Sequence, residues 1–336
     1  MHTLIVSAVA RQTATTLGLA VALTGISLPA VAQGGAASFP AKPITLVVPY
    51  AAGGPTDVTA RRLAELMGKA FNATVLVENR TGAATIVAAE YVARAPKDGY
   101  TLLFAPGTTT SMNPHLYKKL NYRMEDFAPI TLVSRQPFVL TAGPVTRVTD
   151  FAGFNRYAKA KTEGVSFGTT GVGSFTHILG DWMGKVLAWN MQNVPYKGSA
   201  ASVADLVGGR LDSQVEAIAS GLQLDKGGKA HVVAVMDTKR SPILPKVPTF
   251  AELGHPELVA YVTFGLLAPA GTPDAVLDKL YQAAVQATRD KQFVAQMADV
   301  GEEPAPSASR QAYGQWLRDE NVRWGKLIAP LGIQLD

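Results

Sequence analysis

Twice in this chain a short strand-like run breaks into a glycine-rich loop that opens directly onto a helix, and that repeated local order leaves few folds available. The first copy starts with Ile44-Thr45-Leu46-Val47-Val48, which reads as a buried strand. The loop Pro49-Tyr50-Ala51-Ala52-Gly53-Gly54-Pro55 follows, and then a helix starting at Thr56 or Asp57, both good N-caps. Ala60, Leu63, Ala64, Met67 and Phe71 recur along it at helical spacing. The second copy has a strand at 165–168, a loop at 169–173 and a helix capped by Ser174, with Phe175, Ile178, Leu179, Trp182, Val186 and Leu187 on one face. Strand, glycine loop and helix in alternation predict an α/β fold with parallel strands.

Further strands are predicted at 74–77, 100–104, 211–217 and 231–236, a strand end at 193–195, and a helix at 85–95. Thr272-Pro273-Asp274 is a strong helix start, with N-cap, proline and acid in order. It opens a helix to about Arg289, followed by a short helix ending near Gly301 and a third over 309–327. Two α/β units of similar size suggest two lobes with a cleft between them. The segments 137–144 and 261–269 are the expected crossing strands. Lobe one is then 33–140 plus 264–336, with the C-terminal helices packed on it, and lobe two is 141–263.

The first 32 residues read as a secretory signal peptide. Arg11 precedes the apolar run 17–28, and Ala30-Val31-Ala32 forms a small-x-small cut site before Gln33. That run is too short to span a bilayer, which takes about 20 residues. The chain has no cysteine, so disulfides, lipid attachment at the cut site and thiol chemistry are excluded. Its net charge of +5, lowered by one on loss of Arg11, suits a small anionic ligand. The basic pairs Arg61-Arg62, Lys118-Lys119 and Lys239-Arg240 are scattered, which argues against nucleic acid. Gly-x-Ser-x-Gly, His-Glu-x-x-His and Walker A patterns are missing, and Gly171-Val172-Gly173 does not continue into a dinucleotide fingerprint. No enzyme activity, cofactor or metal is expected.

The two loops carry the chemistry. A helix start presents unpaired amides and partial positive charge, and so holds a carboxylate without a lysine. In the first loop the candidates are Tyr50, Ala51, Gly53, Gly54, Thr56 and Asp57. In the second they are Gly168, Thr169, Thr170, Val172, Gly173 and Ser174, whose hydroxyls can donate to an anion. Facing each other, the loops would form two opposed sockets for a molecule with a carboxylate at each end. Read alone, each is also an ordinary strand–helix turn. Asp57 either caps its own helix or points at ligand. His177 either meets an anion or bonds Asp181 one turn on. Glu216 is a strand-end candidate or a solvated carboxylate. Arg61 and Arg80 bind anions or tie loops. Acid–base work by Asp57, His177 and Glu216 in a hydrolase or lyase is the competing reading, and convergence of the three would support it.

Several motifs resemble the Bug-type periplasmic receptors of tripartite tricarboxylate transporters. They are Pro49-Tyr50-Ala51-Ala52-Gly53-Gly54-Pro55-Thr56-Asp57 with Ala60-Arg61, Val77-Glu78-Asn79-Arg80-Thr81-Gly82-Ala83, and Pro96-Lys97-Asp98-Gly99-Tyr100. Phe167-Gly168-Thr169-Thr170-Gly171-Val172-Gly173-Ser174 with His177, Val194-Pro195-Tyr196-Lys197-Gly198, Asp205-Leu206-Val207-Gly208-Gly209 and Pro245-Lys246-Val247-Pro248-Thr249-Phe250 complete the set in family order. The resemblance implies a two-lobed type II periplasmic binding protein (Venus flytrap) fold that closes on a carboxylated ligand. It implies delivery to a permease with one large and one small membrane subunit, and a monomeric receptor. Main-chain groups of residues 50–56 would hold one carboxylate, and Gly168 to Ser174 the other, with Thr169 and Ser174 as donors. Thr108 and Thr109 would approach from the third strand. Thr85, Glu216 and Asn193 depart from the family pattern, Glu216 standing where aspartate is common and Asn193 where histidine is.

Overall fold

Every parallel strand of this fold is oriented by one long antiparallel pair. The computed structural model describes residues 38–336, so the signal-peptide reading at 1–32 lies outside the described residues. In chain order the elements are β1 (Ile44–Val48), α1 (Pro55–Phe71), β2 (Val75–Asn79), α2 (Ile86–Ala93), β3 (Thr101–Pro106), α3 (Asn113–Leu116) and β4 (Phe127–Ala142). Then come α4 (Phe151–Ala160), β5 (Val165–Thr169), α5 (Phe175–Leu187), β6 (Met191–Pro195), α6 (Ser199–Val207), β7 (Ser213–Ala217), α7 (Ile218–Lys226) and β8 (His231–Val235). The chain finishes with β9 (Tyr261–Pro269), α8 (Asp274–Thr288), α9 (Lys291–Ala298), β10 (Glu303–Pro304) and α10 (Arg310–Ile328). The strand order is β2-β1-β3-β9-β4-β7-β5-β6, with β8 and β10 also on β4.

β4 is 16 residues long and serves both halves of the fold. Its first part pairs with β9 from Phe127 to Pro137, and its last part with β7 and β8 from Phe138 to Ala142. The sequence marks only its second part because Pro129 and Pro137 interrupt the run, and proline reads as a strand breaker. The ladder absorbs Pro129 with a register shift between Pro129 and Thr131.

Three cores follow from the apolar periodicity. Ile44, Leu46, Leu63, Met67, Phe104, Leu280 and Phe293 pack between one sheet face and α1, α8 and α9. Val47, Leu103, Leu267, Tyr313 and Leu317 fill the opposite face. Leu140, Phe154, Ile178, Met183, Val215 and Val233 form the core of the second half. α8 packs on the first half as expected, but α10 straddles both. Its Tyr313 and Leu317 sit in one core, and its Trp324 and Ile328 in another, with Trp324 edge-on to Phe175 at 5.0 Å.

The caps divide. Ser174 caps α5 as the sequence suggests, and Ser309 caps α10. Thr272 instead donates to the Pro269 carbonyl, and α8 begins one residue after Pro273.

Helix α5 lies close on β5 because Gly180 has no side chain: a Cβ there would sit 2.0 Å from the ring of buried Phe167. Glycine inside a helix costs about 1 kcal/mol relative to alanine, whereas overpacking costs about 1–3 kcal/mol. Gly180→Ala is therefore expected to lower the unfolding free energy by up to about 2 kcal/mol in a denaturant titration, the reverse of its helix propensity. An unchanged or raised midpoint would contradict this packing.

Candidate ligand-binding site

Strand polarity settles which loops face each other. β9 runs antiparallel to β4, and β3 antiparallel to β9, so β3 heads towards the second half, with β1 and β2 parallel to it. β7 runs antiparallel to the end of β4, so it heads back towards the first half, and β5 and β6 run parallel to it. The carboxyl ends of both parallel sets therefore point at one another across the β4–β9 crossing. The loops after β1 and β3 confront the loop after β5. A Cβ on Gly107, just past β3, would come within 3.4 Å of the Phe175 ring at the start of α5.

The first loop is held from behind. The helix is capped two or three residues earlier than expected: Gly54 is the N-cap, Pro55 follows, and Asp57 lies inside the first turn. Asp57 is buried, and its carboxylate accepts from the Gly53 amide at 2.9 Å, Arg61 Nε at 2.8 Å and Asn79 Nδ2 at 2.8 Å. Burial alone would raise its pKa, but these hydrogen bonds outweigh it and hold the group at about 2. Asp57 is thus neither the cap nor aimed at a ligand. Asn79 also donates to the Tyr50 carbonyl at 2.9 Å. Gly53 has φ +83 with open space beyond its Cα, a conformation suited to glycine. Among the described residues the amides of Thr56 and Asp57 have no protein acceptor, as befits a helix start. Arg61 and Arg80 tie loops: Arg61 spans Asp57 and Asn79, and Arg80 pairs with Glu78 and stacks over Tyr91 at 3.5 Å.

Thr108 and Thr109 lie in a single π turn, Thr108–Met112, rather than in an open loop. Thr109 is buried, its hydroxyl 2.6 Å from that of Thr85, and its carbonyl accepts from Tyr122. Thr85 is in the left-handed region at φ +79, so α2 starts one residue later than expected. The Tyr50 phenol contacts the Thr108 hydroxyl, and burial pushes it up to about 12.

The second loop spends its hydroxyls internally. Thr169 donates to Asn193 Oδ1 at 2.8 Å, and Ser174 donates to the Gly171 carbonyl at 2.7 Å while accepting from the His177 amide. The Thr170 amide donates to Thr176 Oγ1 at 3.0 Å. Without ligand, both hydroxyls brace the turn. His177 takes its structural alternative, with Nδ1 accepting from the Gly173 amide at 3.0 Å and Nε2 3.2 Å from Asp181. A Cβ on Gly173 would lie 2.9 Å from Leu335, so that residue faces the C-terminal segment. Val172 is exposed. Among the described residues the amides of Phe175 and Thr176 have no protein acceptor. Asp57, His177 and Glu216 bond to separate sets of partners and do not converge. Among the described residues no three His, Asp or Glu side chains gather in a way that could hold a metal ion.

Residues 59–333 match the family model of the tripartite tricarboxylate transporter family receptor, TctC. The chain belongs to that family. It is 31% identical to Protein BugT of Bordetella pertussis, over 95% of this chain and 97% of BugT. Among solved structures, Rpa4515 of R. palustris with adipate is 29% identical with a TM-score of 0.77, covering 88% of this chain and 99% of that one. MatC of Rhodopseudomonas palustris with bound malate is 29% identical with a TM-score of 0.73, covering 86% and 100%. This chain is a Bug-type solute-binding receptor with the two-lobed α/β fold of those proteins.

In this receptor Glu216 is the penultimate residue of β7, as the strand-end reading has it, and it is buried rather than solvated. Oε1 accepts from Thr141 at 2.8 Å, while Oε2 has no partner, and neither does Oε1 of buried Gln214 two residues earlier on the same face. Gln214, Asn79, Tyr122 and Thr176 were not read as functional from sequence. Of these only Asn79 lies in a quoted motif, and nothing local marks the others. Burial pushes the Glu216 carboxyl from 4.5 up to about 7. A raised acid pKa means the folded protein binds this proton more tightly than the unfolded chain. Its contribution is therefore neutral below about pH 4.5 and increasingly destabilising as pH rises to about 7, by up to about 3 kcal/mol. Glu216→Gln should unfold like the parent near pH 4 and be more stable at pH 8 by thermal denaturation. An equal difference at both pH values would refute the assignment.

Proposed function

We propose that this receptor binds a small organic di- or tricarboxylate, an aromatic dicarboxylate included, between its two halves. It delivers that ligand to a membrane permease of one large and one small subunit. It is exported to the periplasm by its first 32 residues, acts as a monomer and performs no covalent chemistry. The observation that carries this reading is the facing pair of helix starts. Thr56 and Asp57 on one side, and Phe175 and Thr176 on the other, present amides without protein acceptors at the ends of strands that run towards each other. Helix starts stabilise anions through those amides and the aligned peptide dipoles. A ligand charged at both ends would touch both helices only when the halves are shut, and so would favour that arrangement. Relatives solved with adipate and malate, both dicarboxylates, support the same ligand class.

Thermal unfolding of the mature chain against a panel of organic acids tests the ligand class. At a hundredfold excess over Kd a specific ligand adds about 2.7 kcal/mol, enough to raise Tm by several degrees. Stabilisation by sugars or neutral amino acids with none by carboxylates would reject the reading. The second socket has its own probe. Phe175→Pro removes one amide while keeping a proline-compatible first helical position, because Ser174 is extended at ψ 162. A hydrogen bond to a charged acceptor contributes about 1.5–3 kcal/mol. Affinity in Phe175→Pro should fall at least about tenfold below that of Phe175→Leu. Equal affinities would place the anion elsewhere.

A further inference from the structure

A cavity of about 840 Å³ opens between the 114–129 segment and α10, on the first half of the fold, and it shares no residue with the loops of the candidate cleft. Its floor is apolar and buried: Phe127, Leu267, Leu317 and the ring of Tyr122. Its rim is cationic. Arg318 lines it and is held only by Gln315, with no carboxylate partner among the described residues. Arg123 is exposed and its carboxylate neighbour, Asp126, is 3.9 Å away. Lys118 pairs with Asp336 at the chain end, and Glu125 is the one acid in the lining.

We propose that this cavity is a second ligand site, for an organic monocarboxylate with a bulky apolar body, such as a medium-chain or aryl carboxylate. Pockets that enclose drug-sized ligands hold about 300–1,000 Å³ and combine apolar walls with a few convergent polar groups. The volume and floor suit a ligand larger than a short dicarboxylate, which would leave most of the apolar wall uncovered. An exposed guanidinium without an acid partner recognises a carboxylate in bidentate fashion. The apolar body would leave water itself and cover the half-exposed Tyr117, Leu120 and Met124 beside that floor, at about 25 cal/mol per Å². The cleft loops offer amides for carboxylates and no apolar wall of this kind for a bulky tail.

The site stands independently of the ligand proposed for the cleft, and calorimetric titration of the mature chain with decanoate and with naphthoate tests it. One of the two should bind at a single site, with affinity at least tenfold lower in Arg318→Glu. Arg123→Glu, also at an exposed position, should weaken it in the same direction. Binding should persist in the presence of whichever dicarboxylate stabilises the protein in the acid panel. Displacement by that dicarboxylate with indifference to both charge reversals would assign the probes to the cleft and overturn the proposal. So would the absence of binding by either probe. Loss of the dicarboxylate response alone would leave this site intact, since the arginine variants are read without it.

Discussion

The antiparallel pairing of β4 with β9 is the constraint on which the site depends. A parallel strand's polarity is inherited from its neighbour, and here every neighbour relation leads back to this pair. Because β4 continues past Pro137 into the second half, one backbone orients both parallel sets in opposite senses. Had it stopped there, the glycine loops after β1 and β5 would have no fixed relation. Main-chain hydrogen bonds of a buried ladder are costly to break. The opposition of the two helix starts therefore follows from the fold and needs no contact between the loops themselves.

The loops show how such a site is kept ready. Side chains that could have met a ligand are directed into the protein, and they fix the backbone that remains exposed. Asp57 fixes Gly53, Asn79 fixes Tyr50, His177 fixes Gly173, and Thr176 fixes Thr170. Holding donors in place before a ligand arrives reduces the ordering cost of binding. A buried carboxylate such as Asp57 is tolerable only because three donors surround it. Hydroxyls bridging within a turn serve specificity indirectly, by deciding which amides stay unpaired.

Much of this was legible in the residues. Period-3.6 apolar spacing placed α1 and α5, a β-branched run placed β1, a short strand-like run placed β5, and glycine located the loops. What was not legible is what depends on partners far away in sequence. That Thr169 and Ser174 reach Asn193 and the Gly171 carbonyl is not visible in one dimension. The first part of β4 was hidden by its prolines, since an edge-like pattern in sequence says nothing about a register shift that tolerates it. The residues alone leave open whether Glu216 at its strand end is solvated or buried, because its partner Thr141 lies 75 residues away on β4. Local propensity fixes elements, whereas burial and polar pairing are set by topology.

The straddling helix α10 bears on how the halves can move. Its last turns bring Trp324 against Phe175, the residue that opens α5, while its first turns hold Tyr313 against Gly265 of β9. A Cβ at position 265 would lie 1.9 Å from the Tyr313 hydroxyl, so helix and strand are in close contact there. Hinge motion therefore cannot leave α10 indifferent: rotation about the β4–β9 crossing must either carry its C-terminal turns with α5 or slide Trp324 along Phe175. Packed cores favour discrete arrangements over continuous deformation. An aromatic edge-to-face contact beside the helix start that presents its amides to the cleft ties the position of those amides to the position of α10. On the proposed reading, closure and the geometry of the second socket would be coupled through α10.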